Sequence, residues 1–274
     1  MTGAGADIAT RPAGIHIALS RGLEFLWRRI EPVLVWTPAL LLAVPLIFLL
    51  LGSFSLRWDS RGMSGLSLSA YAEAWSLAEG ALAFSLGLAG AVTLANLLLG
   101  IPLAYVLVTW RFRGRRLLEE VVSLPVVLPP IILSMGLILG YPQLSGGWLI
   151  FFFAHLIWTL PFMVWPVMVA LRAFDAHTLS QAARTLGASE LANFGLVILP
   201  NLRGAGLLGS ALVFILSFGE INGSLFLSSA RHHPVSVALL ETFMNGDIRV
   251  AAAFTIIFLL AILPPLLLAV MLRR

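Results

Sequence analysis

The chain has no cysteine and no lysine among its 274 residues, and only 13 acidic ones. The lack of cysteine excludes a disulfide scaffold, a thiolate zinc site, an iron–sulfur cluster and a cysteine nucleophile. The lack of lysine leaves nothing to complete a phosphate-binding loop ending in Gly-Lys-Ser/Thr. Charged side chains make up 11% of the residues, whereas hydrophobic ones make up 59% and the mean hydropathy is +0.98. An ordinary soluble domain is roughly 45–50% apolar, so this composition excludes a disordered chain and argues against a water-soluble globule. All 17 basic residues are arginine and the pI is about 10.6. Where those arginines fall decides whether the basicity addresses nucleic acid.

A membrane-spanning helix needs about 20 mostly apolar residues, because the hydrocarbon core is roughly 30 Å thick and a helix rises about 1.5 Å per residue. Uncharged runs of that length or more cover Pro32–Leu56, Gly80–Trp110, Val121–Leu171 and Val250–Leu272. The third is 51 residues long, too much for one crossing, and Gly140-Tyr141-Pro142 with Gly146-Gly147 marks a turn in its middle. A further apolar segment, Gly204–Leu227, holds a single acid, Glu220. The expected fold class is therefore all-α, a polytopic membrane protein with six transmembrane helices. They fall near Val33–Phe54, Ala81–Val108, Val121–Leu139, Trp148–Leu171, Gly204–Leu227 and Val250–Leu272.

With the N-terminus in the cytoplasm, six crossings put Arg11, Arg21, Arg28, Arg29, Arg111, Arg113, Arg115, Arg116, Arg172, Arg184, Arg203, Arg273 and Arg274 inside. Only Arg57, Arg61, Arg231 and Arg249 fall outside. That imbalance orients the chain with both termini cytoplasmic. It also makes the arginines topological markers and not a nucleic-acid footprint. Residues 1–32 read as a cytoplasmic tail and an amphipathic interfacial helix, with Ile15, Leu19, Leu23, Leu26 and Ile30 opposite Arg21, Glu24 and Arg28. For the Gly/Ala-rich stretch Met1–Gly14 a floppy basic tail is the alternative. No cleaved signal is expected, because these charges interrupt the first apolar stretch. Residues 33–274 form the six-helix domain.

The longest cytoplasmic loop, 172–203, is too well made to be a linker. It reads as two short helices around a glycine. Thr178 or Ser180 caps the first, Gly187 stops it in a left-handed conformation, and Ser189 caps the second. Leu191, Phe194 and Ile198 then recur on one face until Pro200 ends the run. A small Ala-rich helix with a polar rim, held between two crossings, suits docking in a partner's groove.

Gln181-Ala182-Ala183, then Gly187, then Val197-Ile198-Leu199-Pro200 after nine residues, resembles the EAA loop of ABC-importer permeases, the inner-membrane components of binding-protein-dependent transport. The resemblance covers roughly Ser69–Arg274 and implies a multi-pass subunit of the bacterial inner membrane. It assigns ATPase coupling to Asp175, Gln181, Ala182, Ala183, Arg184, Leu186, Gly187, Ala188 and Pro200. It implies as partners two ABC ATPase subunits, a second permease subunit (identical or paralogous), an extracytoplasmic substrate-binding protein and membrane lipid. It further implies that the chain itself is not an enzyme and binds no cofactor or metal, with ATP and Mg expected on the partner ATPase. The family's usual leading Glu is Gln181 here, so no salt bridge to the ATPase runs through this residue. The segments Ser217–Asn222 and Asn245-Gly246-Asp247 are most similar to the branch handling polyamines, ferric iron, thiamine and phosphonates.

Polar groups inside a membrane are costly and face a cavity or a partner. Ser217, Glu220 and Asn222 are candidates to line the translocation path, with Asn96 and Ser134 as weaker ones; for Glu220 a packing role is the equal alternative. His155 reads as a satisfied packing residue. His232-His233 are adjacent and lack the spacing of a helical metal site, so they read as part of an outer docking loop. Gly87, Gly90, Ala91 and Ala95 suit close helix contact, and Pro125, Pro129, Pro130, Pro161 and Pro166 are expected to break the third and fourth crossings. The rival functions are an ion-gradient-driven secondary transporter, which leaves the helical loop unexplained, and an intramembrane enzyme, for which no catalytic constellation is present.

Overall fold

The computed structural model describes the backbone of residues 13–272 and the side chains of residues 27–271. The tail 1–12, the amphipathic face through Ile15, Leu19, Leu23 and Leu26, and Arg273 and Arg274 lie outside that description. The chain divides into two units, residues 1–51 and 52–274. The described part of the first is helix α1 (Ala13–Ser53), which runs unbroken through Pro32, Pro38 and Pro45 and ends just inside the second. From Trp27 onward it is long and apolar enough to cross a membrane, and its apolar side chains are exposed.

The second unit opens with a feature the all-α expectation did not contain. An antiparallel hairpin, β1 (Ser55–Asp59) and β2 (Gly62–Leu66), pairs Arg57 with Ser64 and Asp59 with Gly62. Everything else regular among the described residues is helical. In order come α2 (Ser69–Thr109), α3 (Arg115–Val127), α4 (Pro130–Gly140) and α5 (Trp148–Ala173). They are followed by α6 (Ala176–Thr185), α7 (Glu190–Ala192), a π-helical turn (Asn193–Ile198) and α8 (Leu199–Asn201). The last are α9 (Arg203–Phe218), α10 (Asn222–Leu227), α11 (Val235–Asn245) and α12 (Ile248–Leu272).

Four continuous helices have the length and hydropathy of a span: Trp27–Ser53, Ser69–Thr109, Trp148–Ala173 and Ile248–Met271. Two more spans exist only if bent pairs are joined, α3 with α4 at 103° and residues 190–201 with α9 at 74°. The third expected crossing is thus not one helix. A residue before proline is pushed toward extended backbone; Leu128 precedes Pro129, which precedes Pro130, and both adopt it, with ψ of 126° and 136°. Pro125, Pro161 and Pro166 were expected to break their helices as well, but each lies inside an intact one. The fifth expected crossing also ends early: α9 stops at Phe218, and α10 starts after Gly219-Glu220-Ile221.

The core is built where α2, α5 and α9 meet, around Leu88, Val92, Leu107, Phe151, Val164, Val167 and Val213. Its tightest point is Met163 of α5, seated between two glycines. A Cβ on Gly100 would lie 2.7 Å from Met163 Cγ, and one on Gly209 would lie 2.7 Å from Met163 Sδ and 3.3 Å from its Cα. Gly87 and Gly90, read as the close-contact positions, have open space where a Cβ would go. Gly209→Leu should therefore destabilise the helical core by about 1–3 kcal/mol through overpacking. The measurement is the thermal midpoint of the detergent-solubilised protein, with Met163→Ala in the same chain expected to recover part of the loss.

Candidate functional site

The loop between α5 and α9 is a folded unit. Its first helix is capped by Asp175, not by Thr178 or Ser180 as expected: Asp175 Oδ1 accepts from the Thr178 backbone N–H at 3.4 Å. Thr178 is thus the donor, and Ser180 is buried with an unpartnered hydroxyl. Asp175 sits in the left-handed region, with φ at 46°, which aspartate tolerates better than most residues. Hydrogen bonds from Thr178, side chain first and backbone second, hold its carboxyl below the usual range, so the cap stays ionised at neutral pH. Gly187 takes φ of +85° as expected, and Ser189 Oγ accepts from Ala192 N at 3.3 Å.

A bidentate ion pair closes the turn around Gly187. Arg184 Nε donates to Glu190 Oε1 at 2.6 Å and Nη2 to Oε2 at 3.1 Å. Glu190 was not foreseen, since a six-residue separation across a left-handed glycine matches no helical spacing rule. A second clasp ties the loop to the end of α2: Asn193 Nδ2 donates to Tyr105 Oη at 2.9 Å, and the Tyr105 ring stacks obliquely on Phe194. Burial follows one face, through Ala176, Ser180 and Ala183 of α6, then Asn193 and Ile198. Leu191 belongs to the other face. It is 81% exposed and Leu186 is 89% exposed, while Asp175, Gln181, Ala182, Arg184, Gly187 and Pro200 are also exposed and Ala188 half-buried. Pro200 does not end the helical run, which continues to Asn201 within α8.

The intramembrane candidates form a second site at the break between α9 and α10. Glu220 is buried; Oε1 accepts from Gly223 N at 2.8 Å and Oε2 from Ser224 N at 2.7 Å, so both oxygens cap the start of α10. Its carbonyl accepts from Ser236 Oγ at 2.6 Å. His155 of α5 completes the cluster: Nδ1 lies 2.9 Å from Ser217 Oγ, Nε2 lies 3.1 Å from Ser224 Oγ, and Nε2 lies 3.9 Å from Glu220 Oε2. The chain of bonds continues through the His155 carbonyl, which accepts from Thr159 Oγ1 at 2.6 Å, to Asn96 Nδ2, which donates to Thr159 Oγ1 at 2.9 Å. Asn96 Oδ1 is left buried without a partner. Ser134 of α4 is buried against α10, where a Cβ on Gly223 would lie 2.4 Å from its Oγ and 3.0 Å from the Pro130 carbonyl oxygen. Of the five path candidates only Asn222 is exposed. Thr159 and Ser224 went unforeseen, although an acid just ahead of a helix start is a capping signal.

His232 and His233 go separate ways. His232 Nδ1 meets the Gly146 carbonyl at 2.9 Å, and His233 Nε2 meets Glu241 at 3.2 Å.

No family model matches the chain. Individual relatives do. The molybdenum transport system permease protein ModB of Escherichia coli K12 is 30% identical over 160 residues, covering 53% of this chain and 69% of that one. The molybdate/tungstate transport system permease protein WtpB of Pyrococcus abyssi is 28% identical over 65% of this chain and 72% of its own length. The spermidine/putrescine transport system permease protein PotC of Haemophilus influenzae is 28% identical over 63% and 68%. A crystal structure of a bacterial ABC transporter involved in the import of the acidic polysaccharide alginate superposes with a TM-score of 0.68 at 17% identity, over 91% of this chain and 96% of its own, a likeness of fold. These kinships favour the ATP-driven reading over the ion-gradient alternative and identify the chain as a transport permease component. The chain belongs to the permease subunits of binding-protein-dependent ABC importers, multi-pass proteins of the inner membrane.

Proposed function

We propose that this permease takes its driving motion through residues 174–200, which a separate ABC ATPase grips from the cytoplasm. The observation that carries the reading is the exposed pair Leu186 and Leu191 on either side of Gly187. Two large apolar side chains stand unburied on a turn whose backbone is fixed by an ion pair, a clasp to Tyr105 and two caps. A rigid apolar knob of this kind suits a groove in a partner protein. Gln181 and Ala182 flank it, and movement of the loop moves α5 and α9 together.

In this reading α3 and α4 together make one crossing and α9 with α10 make another, while residues 190–201 stay with the cytoplasmic loop. The chain spans the membrane six times with both termini cytoplasmic, residues 1–32 serve as tail and interfacial helix, and 33–274 as the transmembrane domain. Two ATPase subunits, holding ATP and Mg, serve a pair of permeases, and an extracytoplasmic binding protein delivers the solute; this chain binds no cofactor or metal of its own. The path runs along the α9–α10 break, where Asn222 faces it and Asn96, Ser134, Ser217 and Glu220 support it. The named cargoes of the relatives, molybdate or tungstate in one and spermidine or putrescine in another, carry opposite charges. With both Glu220 oxygens occupied by α10 amides, a path of neutral polar groups accommodates either sign, and the binding protein sets the choice.

Because the chain has no native cysteine, single replacements report accessibility cleanly. Leu186→Cys and Arg113→Cys should react with an impermeant thiol reagent only from the cytoplasmic side, and Met63→Cys in the hairpin only from the outside. Leu186→Cys should also cross-link to the ATPase in the assembled complex. Labelling of Leu186→Cys from outside, or no cross-link to a nucleotide-hydrolysing subunit, defeats the proposal.

A further inference from the structure

A cavity of about 540 Å³ lies where α2 ends and α3 begins, lined by Arg111, Phe112, Gly114, Arg115, Arg116 and Glu119. Its charge is unbalanced. Glu119 Oε1 is shared between Arg115 Nε at 3.3 Å and Arg172 Nη2 at 3.7 Å. Arg111, Arg113 and Arg116 have no ion pair among the described residues. Five arginines therefore stand around two acids, Glu119 and Glu120. The helix that follows adds to the same sign. The N-cap of α3 is Gly114 at φ of +92°, no side chain caps the first turn and no acid lies in it. Gly114, Arg115 and Arg116 line the cavity, so the positive end of the α3 dipole lies at it. A phosphate group meets all of this chemistry, and guanidinium forks match its oxygens in pairs.

The surroundings say which phosphate. Leu117 is 65% exposed, Val121 49% and Leu124 52%. At spacings of four and three residues they form one apolar stripe running along α3 away from the arginines. Trp110 and Phe112, at the end of the α2 span, are exposed beside the cavity. A soluble phosphate has no use for such a stripe, and an acidic protein surface would bury it badly. An amphiphile with an anionic head and a hydrocarbon chain covers both parts at once. We propose that this cavity binds the phosphate headgroup of an anionic phospholipid of the inner leaflet, with an acyl chain along Leu117, Val121 and Leu124. The proposal rests on the orientation given above, which places this end of α2 at the cytoplasmic membrane face, where basic pockets between helices meet anionic headgroups.

The test uses the full permease–ATPase complex in bilayers of phosphatidylcholine containing spin-labelled phosphatidylglycerol or spin-labelled phosphatidylcholine. The wild type should hold phosphatidylglycerol in preference to phosphatidylcholine. Arg111→Gln and Arg116→Gln should each lower that preference about fivefold, the usual worth of a basic residue at an anionic surface, while Arg116→Lys keeps most of it. Equal retention of the two lipids by the wild type, or undiminished preference in both glutamine variants, overturns the site. Displacement of the labelled phosphatidylglycerol by inorganic phosphate at matched ionic strength overturns it in favour of a soluble anion. Loss of ATPase copurification with lipid preference intact overturns it in favour of a protein contact. A wild-type complex that assembles with its ATPase yet shows no preference sinks the lipid site alone, whereas Arg113→Cys labelled only from outside sinks the orientation beneath it.

Discussion

Gly187→Val should uncouple the permease from its ATPase, cutting substrate-stimulated ATP hydrolysis about tenfold or more while the transmembrane core still folds. The residue sits at φ of +85°, where an L-side chain costs roughly 1–2 kcal/mol and a β-branched one more; about 1.4 kcal/mol corresponds to tenfold. Nothing lies within 4 Å of the place a Cβ would occupy, so the penalty is conformational and no neighbour is displaced. That separates it from a simple packing defect. Gly187→Asn, which keeps a residue at home in the left-handed region, should retain most of the coupling. If valine and asparagine behave alike, the left-handed turn is not what the motor requires. Copurification with the ATPase and hydrolysis by the assembled complex are the two measurements.

The second large effect is expected at Glu220. Glu220→Leu leaves the Gly223 and Ser224 N–H groups buried without acceptors, and each such orphan costs about 1–3 kcal/mol. The loss should appear as a drop in assembled complex and in the thermal midpoint. Glu220→Gln is the informative partner. An amide offers one oxygen, so one N–H stays satisfied while the other faces an NH2 group, and roughly half the damage should remain. Transport must be expressed per assembled complex. Normal transport on that basis in both variants means that Glu220 builds the α9–α10 break without touching the solute. A selective loss of transport in Glu220→Gln, at unchanged assembly, gives it a place in the path. Unchanged yield and midpoint in Glu220→Leu would refute the capping role altogether.

Much of this was legible before any coordinates. Helical elements follow from charge-free runs longer than a soluble core needs, and Gly187 and Ser189 mark the turn of the 172–203 loop by residue type alone. What stayed hidden depends on backbone geometry or on distance in sequence. Asp175 was passed over as a cap because Thr178 and Ser180 offered the same chemistry nearer the Ala-rich run. The Arg184–Glu190 pair and the Tyr105–Asn193 clasp join residues whose nearness exists only after the chain has turned. The break after Val127 is marked in the sequence by Pro129 and Pro130, whereas the one after Phe218 is hidden by hydropathy, which sees a continuous apolar stretch there. Met163 shows the same limit from the packing side: two glycines far apart in sequence were tied to one thioether by nothing in their local pattern.

The two interrupted crossings have a consequence for leakage. The segment after Pro129 and the segment after Glu220 lean on each other, Gly223 against Ser134 and the Pro130 carbonyl, and each is joined to the helix before it only by a short non-helical joint. A one-piece helix that tilts at one end must swing at the other. In the orientation proposed above, division at these joints lets the extracytoplasmic halves stay shut as a pair while their inner counterparts follow the ATPase, so that a vestibule opens on one face of the membrane before the opposite face has begun to yield.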